Sequence, residues 1–186
     1  MYKRSVIVST AQNFIGMSEA DPEYKNKILE VYNQKPLPRG YALKPNDAWC
    51  AAFVSTVGIL CGYDEIILKE CSCQKMLEKY KKANRFIEND SYKPLPGDII
   101  FYDWNDSGIG DCTGAPDHVG IVEKIEGKYI TIIEGNYKND EQPYIGLLFN
   151  EGVEASNKYC VPEITYNLNL YLYYCYLIMV STYAIS

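Results

Sequence analysis

Asn46-Asp47-Ala48-Trp49-Cys50-Ala51-Ala52-Phe53-Val54-Ser55 places a cysteine where a polar loop gives way to an apolar run. From Phe53 onward, Phe53, Val54, Val57, Leu60 and Cys61 recur at i, i+1, i+4, i+7 and i+8. That spacing is one buried helical face. Gly62 supplies a C-terminal stop and Asp47 an N-cap. Cys50 then falls in the first turn, where N–H groups without helical acceptors and the helix dipole favour an anion. A thiolate is such an anion, and this placement lowers a cysteine pKa. A small thiol buried in a core leaves the same local trace, so the stretch takes its chemical meaning from the rest of the chain.

On the N-terminal side, Ser5 to Ile15 reads as an amphipathic helix with Ile7, Ala11, Phe14 and Ile15 on one stripe and Gly16 at its end. A polar connection from Ser18 to Lys44 carries a short helix around Tyr24–Tyr32 and a loop at Pro36–Gly40. On the C-terminal side, a helix over Cys73–Ala83 turns Cys73, Met76, Leu77 and Tyr80 inward. After Pro94-Leu95-Pro96-Gly97 the character changes. Asp98–Tyr102, His118–Lys124 and Lys128–Glu134 read as strands, the last two closed by Ile125-Glu126-Gly127 as a hairpin. Helices followed by strands predict an α+β fold, with N-terminal helices packed on a C-terminal antiparallel sheet, in a single domain over residues 1–186. The tail from 164 to 186 holds no charged residue and is crowded with tyrosine. Its length permits a membrane span, but Asn167, Asn169 and the phenols interrupt it, so sheet strands and no membrane span are expected.

A content of 47% apolar and 23% charged residues suits a globular domain. The net charge of −6, with no basic run beyond Lys79-Tyr80-Lys81-Lys82, excludes a general nucleic-acid binder. Seven cysteines cannot all pair with one another, and Cys71-x-Cys73 lacks a second ligand pair. Neither a disulfide framework nor structural zinc is expected, and synthesis in a reducing compartment is. Lys3 and Arg4 precede an apolar run broken by Ser9, Thr10, Gln12 and Asn13. No standard signal peptide is therefore expected, and action outside the cytoplasm would follow release or another export route.

The chain has a single histidine, His118, which opens a strand. Pairing Lys124 with Lys128 sets His118 opposite Glu134, with Cβ atoms about 5 Å apart, and places Asn136 on the same face. An imidazole held by an acceptor is what a general base requires, and such a base can deprotonate a thiol. A one-residue change of register would carry Glu134 to the other face.

Four segments in this order carry a family resemblance. They are Trp49-Cys50-Ala51-Ala52-Phe53-Val54-Ser55, Pro96-Gly97-Asp98-Ile99-Ile100-Phe101, Asp117-His118-Val119-Gly120-Ile121-Val122 and Ile133-Glu134-Gly135-Asn136. Together they resemble the CHAP domain, the cysteine, histidine-dependent amidohydrolases/peptidases allied to NlpC/P60 and papain-like enzymes, over residues 5–160. The resemblance implies a papain-like fold and hydrolysis of an amide bond in bacterial peptidoglycan. It implies Cys50 as nucleophile, His118 as general base, Glu134 as its orienting carboxylate and Asn136 in support of the imidazole or the substrate. The Cys50 backbone N–H would hold the oxyanion. Asn46 is the only side-chain amide near enough in sequence to join it, and Trp49 and Asp117 flank the two motifs as candidate substrate contacts. No cofactor is implied. Some phage enzymes of this kind bind Ca²⁺ through acidic residues ahead of the cysteine, where this chain has only Asp47. Asp103, Asn105 and Asp111 fit part of a calcium loop, yet Gly114 stands where the bidentate carboxylate belongs, so no metal is expected.

Peptidoglycan is the expected partner. With no segment resembling a wall-binding module, targeting falls to this domain or to an unidentified targeting or immunity partner. A catalytically silent wall-binding module and a cysteine peptidase for ordinary proteins are the competing readings.

Overall fold

The structure, a computed structural model, describes residues 2–87, 92–103, 115–126, 129–137, 152–160 and 176–180. Helix α1 (Arg4–Gln12) is followed by α2, which starts at Pro22–Tyr24 and continues as a π-helical stretch, Lys25–Glu30. A single 3₁₀ turn at Pro38–Gly40 leads toward α3 (Cys50–Cys61) and α4 (Cys73–Lys82). The strands are β1 (Phe86–Ile87), β2 (Ile99–Asp103), β3 (His118–Glu126), β4 (Tyr129–Tyr137), β5 (Gly152–Cys160) and β6 (Tyr176–Val180). They form one sheet in the order β1-β6-β2-β3-β4-β5, with every pairing antiparallel. The fold is α+β, as the order of helices and strands requires.

Helix α3 is the hub. Residues Cys50 through Gly58 are all buried, so the helix is enclosed on every side rather than along one stripe. The single-face expectation holds for Phe53, Val54 and Val57, whereas Leu60, near the C-terminal end, is 49% exposed. Gly58 is required by packing: a Cβ there would stand 2.6 Å from the Ile67 Cβ. Gly62 ends the helix with a left-handed φ of +66°, as expected.

The N-terminal boundary differs from the sequence reading. Trp49 is the N-cap, without a side-chain capping bond. Asp47 instead ties the preceding loop, accepting from the Lys44 N–H at 2.8 Å and the Tyr41 hydroxyl at 2.7 Å. In α1, Ile7, Ala11 and the following Phe14 are buried, but Ile15 is 44% exposed because the helix stops at Gln12 and the chain turns through Gly16. Helix α4 buries all four expected residues, Cys73, Met76, Leu77 and Tyr80.

The helices cover one face of the sheet through Ile99, Phe101, Val119, Ile121 and Ile133, which join the main core. Alternate residues Ile100, Tyr102, Val122, Ile130 and Ile132 make a second apolar cluster, as the period of two dictates. The Pro96-Gly97-Asp98 segment anchors the start of β2. Gly97 has φ +85° and donates to the Val122 carbonyl at 2.7 Å, and the buried Asp98 carboxylate takes Arg4, the Tyr92 hydroxyl and the Leu95 N–H. In the tail, β6 lies between β1 and β2, so this part of the tail supplies an inner strand of the sheet. No helix among the described residues is long and apolar enough to cross a membrane.

Candidate active site

The hairpin register differs from the one read from sequence, and the difference builds the site. Pairing closes at Glu126↔Tyr129, so Ile125 and Glu126 of the expected three-residue loop belong to β3 instead, and residues 127 and 128 lie outside the described residues. From there the register runs through Ile125↔Ile130 and Lys124↔Thr131, then shifts by one residue between Val122 and Lys124. Beyond that bulge Gly120, not His118, lies opposite Glu134. Without the bulge, Glu134 would fall on the wrong face of the sheet. With it, His118 and Glu134 share a face as diagonal neighbours. Gly120 makes the diagonal possible. A Cβ at this position would stand 2.8 Å from the Glu134 Cγ and 2.6 Å from the Ile132 Cγ2. The side-chain-free position lets the carboxylate lean across toward the imidazole.

His118 Nε2 and Glu134 Oε1 are 3.7 Å apart, with both side chains buried. The distance is an ion-pair contact rather than a short hydrogen bond. Tyr102, paired with His118 across β2 and β3, brings its ring to a centroid distance of 5.7 Å. It is a neighbour of the imidazole that the sequence reading did not identify.

Cys50 meets this pair from the N-terminus of α3. Its pKa is held well below the ordinary thiol value, chiefly by a hydrogen bond from Cys73. Burial opposes the shift, while the charge and hydrogen bond of His118 and the Ala51 N–H reinforce it. The imidazole moves the other way. Burial pushes its pKa down, but the Cys50 charge and hydrogen bond, with Glu134 and Asp117, outweigh that and hold it above the ordinary value. A lowered thiol beside a raised imidazole favours the thiolate–imidazolium form of the pair.

The sign of the pH response follows. Thiolate is present above the lowered Cys50 pKa, and imidazolium below the raised His118 pKa. Any Cys50-dependent activity is therefore expected to follow a bell, its acid limb set by Cys50 below pH 9 and its alkaline limb by His118 above pH 6.5. Initial rates measured across the range at constant ionic strength check it, and a rate that only climbs with pH, like that of a free thiol, contradicts the pairing.

The remaining expected residues separate. Asn136 is half-buried and adopts φ +58° within β4, where pairing with β5 shifts between Glu134 and Tyr137. Asparagine tolerates this left-handed conformation, and it breaks the strict alternation that placed Asn136 with His118. Asn46 is exposed in the turn before α3. Trp49 is fully buried, with its ring 4.8 Å from that of Tyr24 and its Nε1 donating to Glu19 at 2.6 Å. The indole is thereby packed into the main core. Asp117 is exposed next to His118, and its N–H donates to the Tyr102 carbonyl at 2.8 Å. Asn105 and Asp111, with Gly114, lie outside the described residues, as does the side chain of Asp103. Among the described residues no cluster of three or more His, Cys, Asp or Glu side chains could hold a metal ion.

The sequence reading assigned Cys73 to the core and nothing more, yet its sulfur lies 3.4 Å from that of Cys50. The available signal was its place: Ser72-Cys73 opens α4 much as Trp49-Cys50 opens α3.

In comparison with known proteins, the chain matches the family model described as CHAP domain over residues 41–136. This is narrower than the 5–160 of the resemblance and contains Cys50, His118, Glu134 and Asn136. No curated protein and no solved structure matches the chain.

Proposed function

The chain belongs to the CHAP domain family, and we propose that it is a peptidoglycan hydrolase in which Cys50 attacks an amide carbonyl, either the N-acetylmuramoyl-L-alanine bond or a bond in the stem or cross-bridge peptide. Family membership implies amidohydrolase or peptidase chemistry on peptidoglycan in general. The observation that supports this particular mechanism is the convergence of a low-pKa thiol, a raised imidazole and a buried carboxylate.

In this reading the Cys50 thiolate adds to the scissile carbonyl and the oxygen takes the negative charge. The Cys50 N–H, first in α3 and without a helical acceptor, faces that charge. The His118 imidazolium gives its proton to the departing amine, leaving a Cys50 thioester. Neutral His118 then takes a proton from water, whose oxygen attacks the thioester, and Cys50 leaves as thiolate. Glu134 keeps the imidazole oriented and stabilises its charged form at both stages.

Assays on defined soluble muropeptides beside unfolded protein and plain peptides test the substrate class. Cleavage of the muropeptides alone is expected, and the new termini assign the bond. Cleavage of plain peptides with muropeptides untouched would overturn the wall assignment in favour of an ordinary cysteine peptidase.

A further inference from the structure

The second thiol is placed by a built arrangement. Cys50 and Cys73 are both buried, and each is the first residue of its own helix. Two positive helix ends therefore converge on one pair of sulfurs 3.4 Å apart. Ser55 pins the segment leading to Cys73 onto α3: its Oγ donates to the Glu70 carbonyl at 2.6 Å and accepts from the Glu70 N–H at 2.9 Å. The buried Glu70 carboxylate in turn accepts from Arg39 at 2.8 Å and from the Cys71 N–H at 2.9 Å. Cys71 points elsewhere, toward Tyr32 and Arg39. The hydrolytic steps use Cys73 only as a hydrogen-bond donor to the Cys50 thiolate, and none of them makes or breaks a bond to a second thiol.

We propose that Cys50 and Cys73 are a redox pair, with Cys73 as the resolving thiol that converts peroxide-oxidised Cys50 into a reversible Cys50–Cys73 disulfide. The proposal rests on Cys50 being a reactive nucleophile and is independent of which amide is cut. The Cys50 thiolate attacks one oxygen of hydrogen peroxide, the O–O bond breaks, and hydroxide leaves and is protonated to water. Cys50 is now a sulfenic acid. The Cys73 sulfur attacks the Cys50 sulfur, the S–O bond breaks, and the hydroxyl departs as a second water with the Cys73 proton. Peroxide is reduced by two electrons and the sulfur pair is oxidised by two. A dithiol reverses the change by exchange.

The order of events has a physical basis. Cys73 is held protonated in the resting pair by its hydrogen bond to Cys50, by burial and by the Cys50 charge. Once Cys50 is a sulfenic acid that charge is gone, and Cys73 is released to attack. A disulfide needs sulfurs about 2 Å apart, so the two sulfurs, already 3.4 Å apart, have only a short further approach to make.

The test is to oxidise the reduced full-length protein with a small excess of hydrogen peroxide, alkylate it with iodoacetamide, and map the peptides without reduction. A Cys50–Cys73 cross-linked peptide is expected, with Cys50 alkylation restored by dithiothreitol. In Cys73→Ala and Cys73→Ser, Cys50 is expected to proceed to sulfinic acid, and recovery by dithiothreitol to fall at least about tenfold. Over-oxidised Cys50 in the wild type beside an alkylated Cys73, or Cys50 joined to another cysteine, would overturn the pair. The wild-type map decides even where a variant does not fold. A Cys50 inert to peroxide and iodoacetamide alike would refute the nucleophile as well, so the two failures are distinguishable.

Discussion

His118→Ala is expected to lower kcat/KM by about 10³–10⁴-fold, the upper part of the range for a lost general acid–base. In energy this is about 4–5.5 kcal/mol of transition-state stabilisation. The substitution removes the proton donor for the leaving amine and the base for water in one step. It also removes a cation beside Cys50, so the thiol pKa rises toward its ordinary value and the thiolate population at mildly acid pH falls. Two measurements separate these effects. Turnover of a muropeptide reports the proton transfers, and the pH dependence of Cys50 alkylation by iodoacetamide reports the thiol. Both are expected to change while the circular dichroism spectrum does not. An alkylation profile identical to the wild type would show that His118 does not touch the sulfur electrostatically. Turnover within about threefold of the wild type would remove His118 from the mechanism.

The second large effect is expected from a residue with no side chain. Gly135 faces α3 from β4, and a Cβ there would stand 2.6 Å from the Phe53 Cβ and 2.7 Å from the Trp49 Cζ3. The obstruction is ring and helix rather than a flexible tip, so the helix must move. Gly135→Ala is expected to cost about 3 kcal/mol, the upper end of overpacking, and to lower Tm by about 6–12 °C. Because Phe53 and Trp49 flank Cys50, the same displacement draws the nucleophile away from His118. A loss of activity exceeding the loss of folded protein is therefore expected. Thermal unfolding and titration of reactive Cys50 check it together. An unchanged Tm with full activity would mean that α3 and β4 are not packed this closely.

Much of this architecture was legible along the chain, because it rests on local periodicity. The helix after Cys50, the Gly62 stop and the inward face of α4 need only nearest-turn geometry and were read correctly, although the helix is buried all round rather than on one face and Leu60 is exposed. The boundary at Asp47 was misread, since a side chain that can cap a helix can equally tie its own loop, as the Tyr41 and Lys44 contacts do. The site was half legible. His118 and Glu134 were expected to be directly opposite, and the structure makes them diagonal. The common face survived because the register differs by two residues, and that parity depends on a bulge near Glu123 that no alternation pattern announces. The place of Cys73 at the start of α4 was legible, but its partner was not, for another reason. Its contact with Cys50 joins two helix starts 23 residues apart, and it depends on the Ser55–Glu70 tie rather than on any local pattern.

The most direct measurement is digestion of purified peptidoglycan by the wild type and by Cys50→Ala in parallel, with mass spectrometry of the soluble fragments. Fragments ending at a broken amide bond, released by the wild type and absent with the variant, are the predicted result. Equal release by both proteins, or release by neither across several wall chemotypes while Cys50 remains alkylatable, would contradict it.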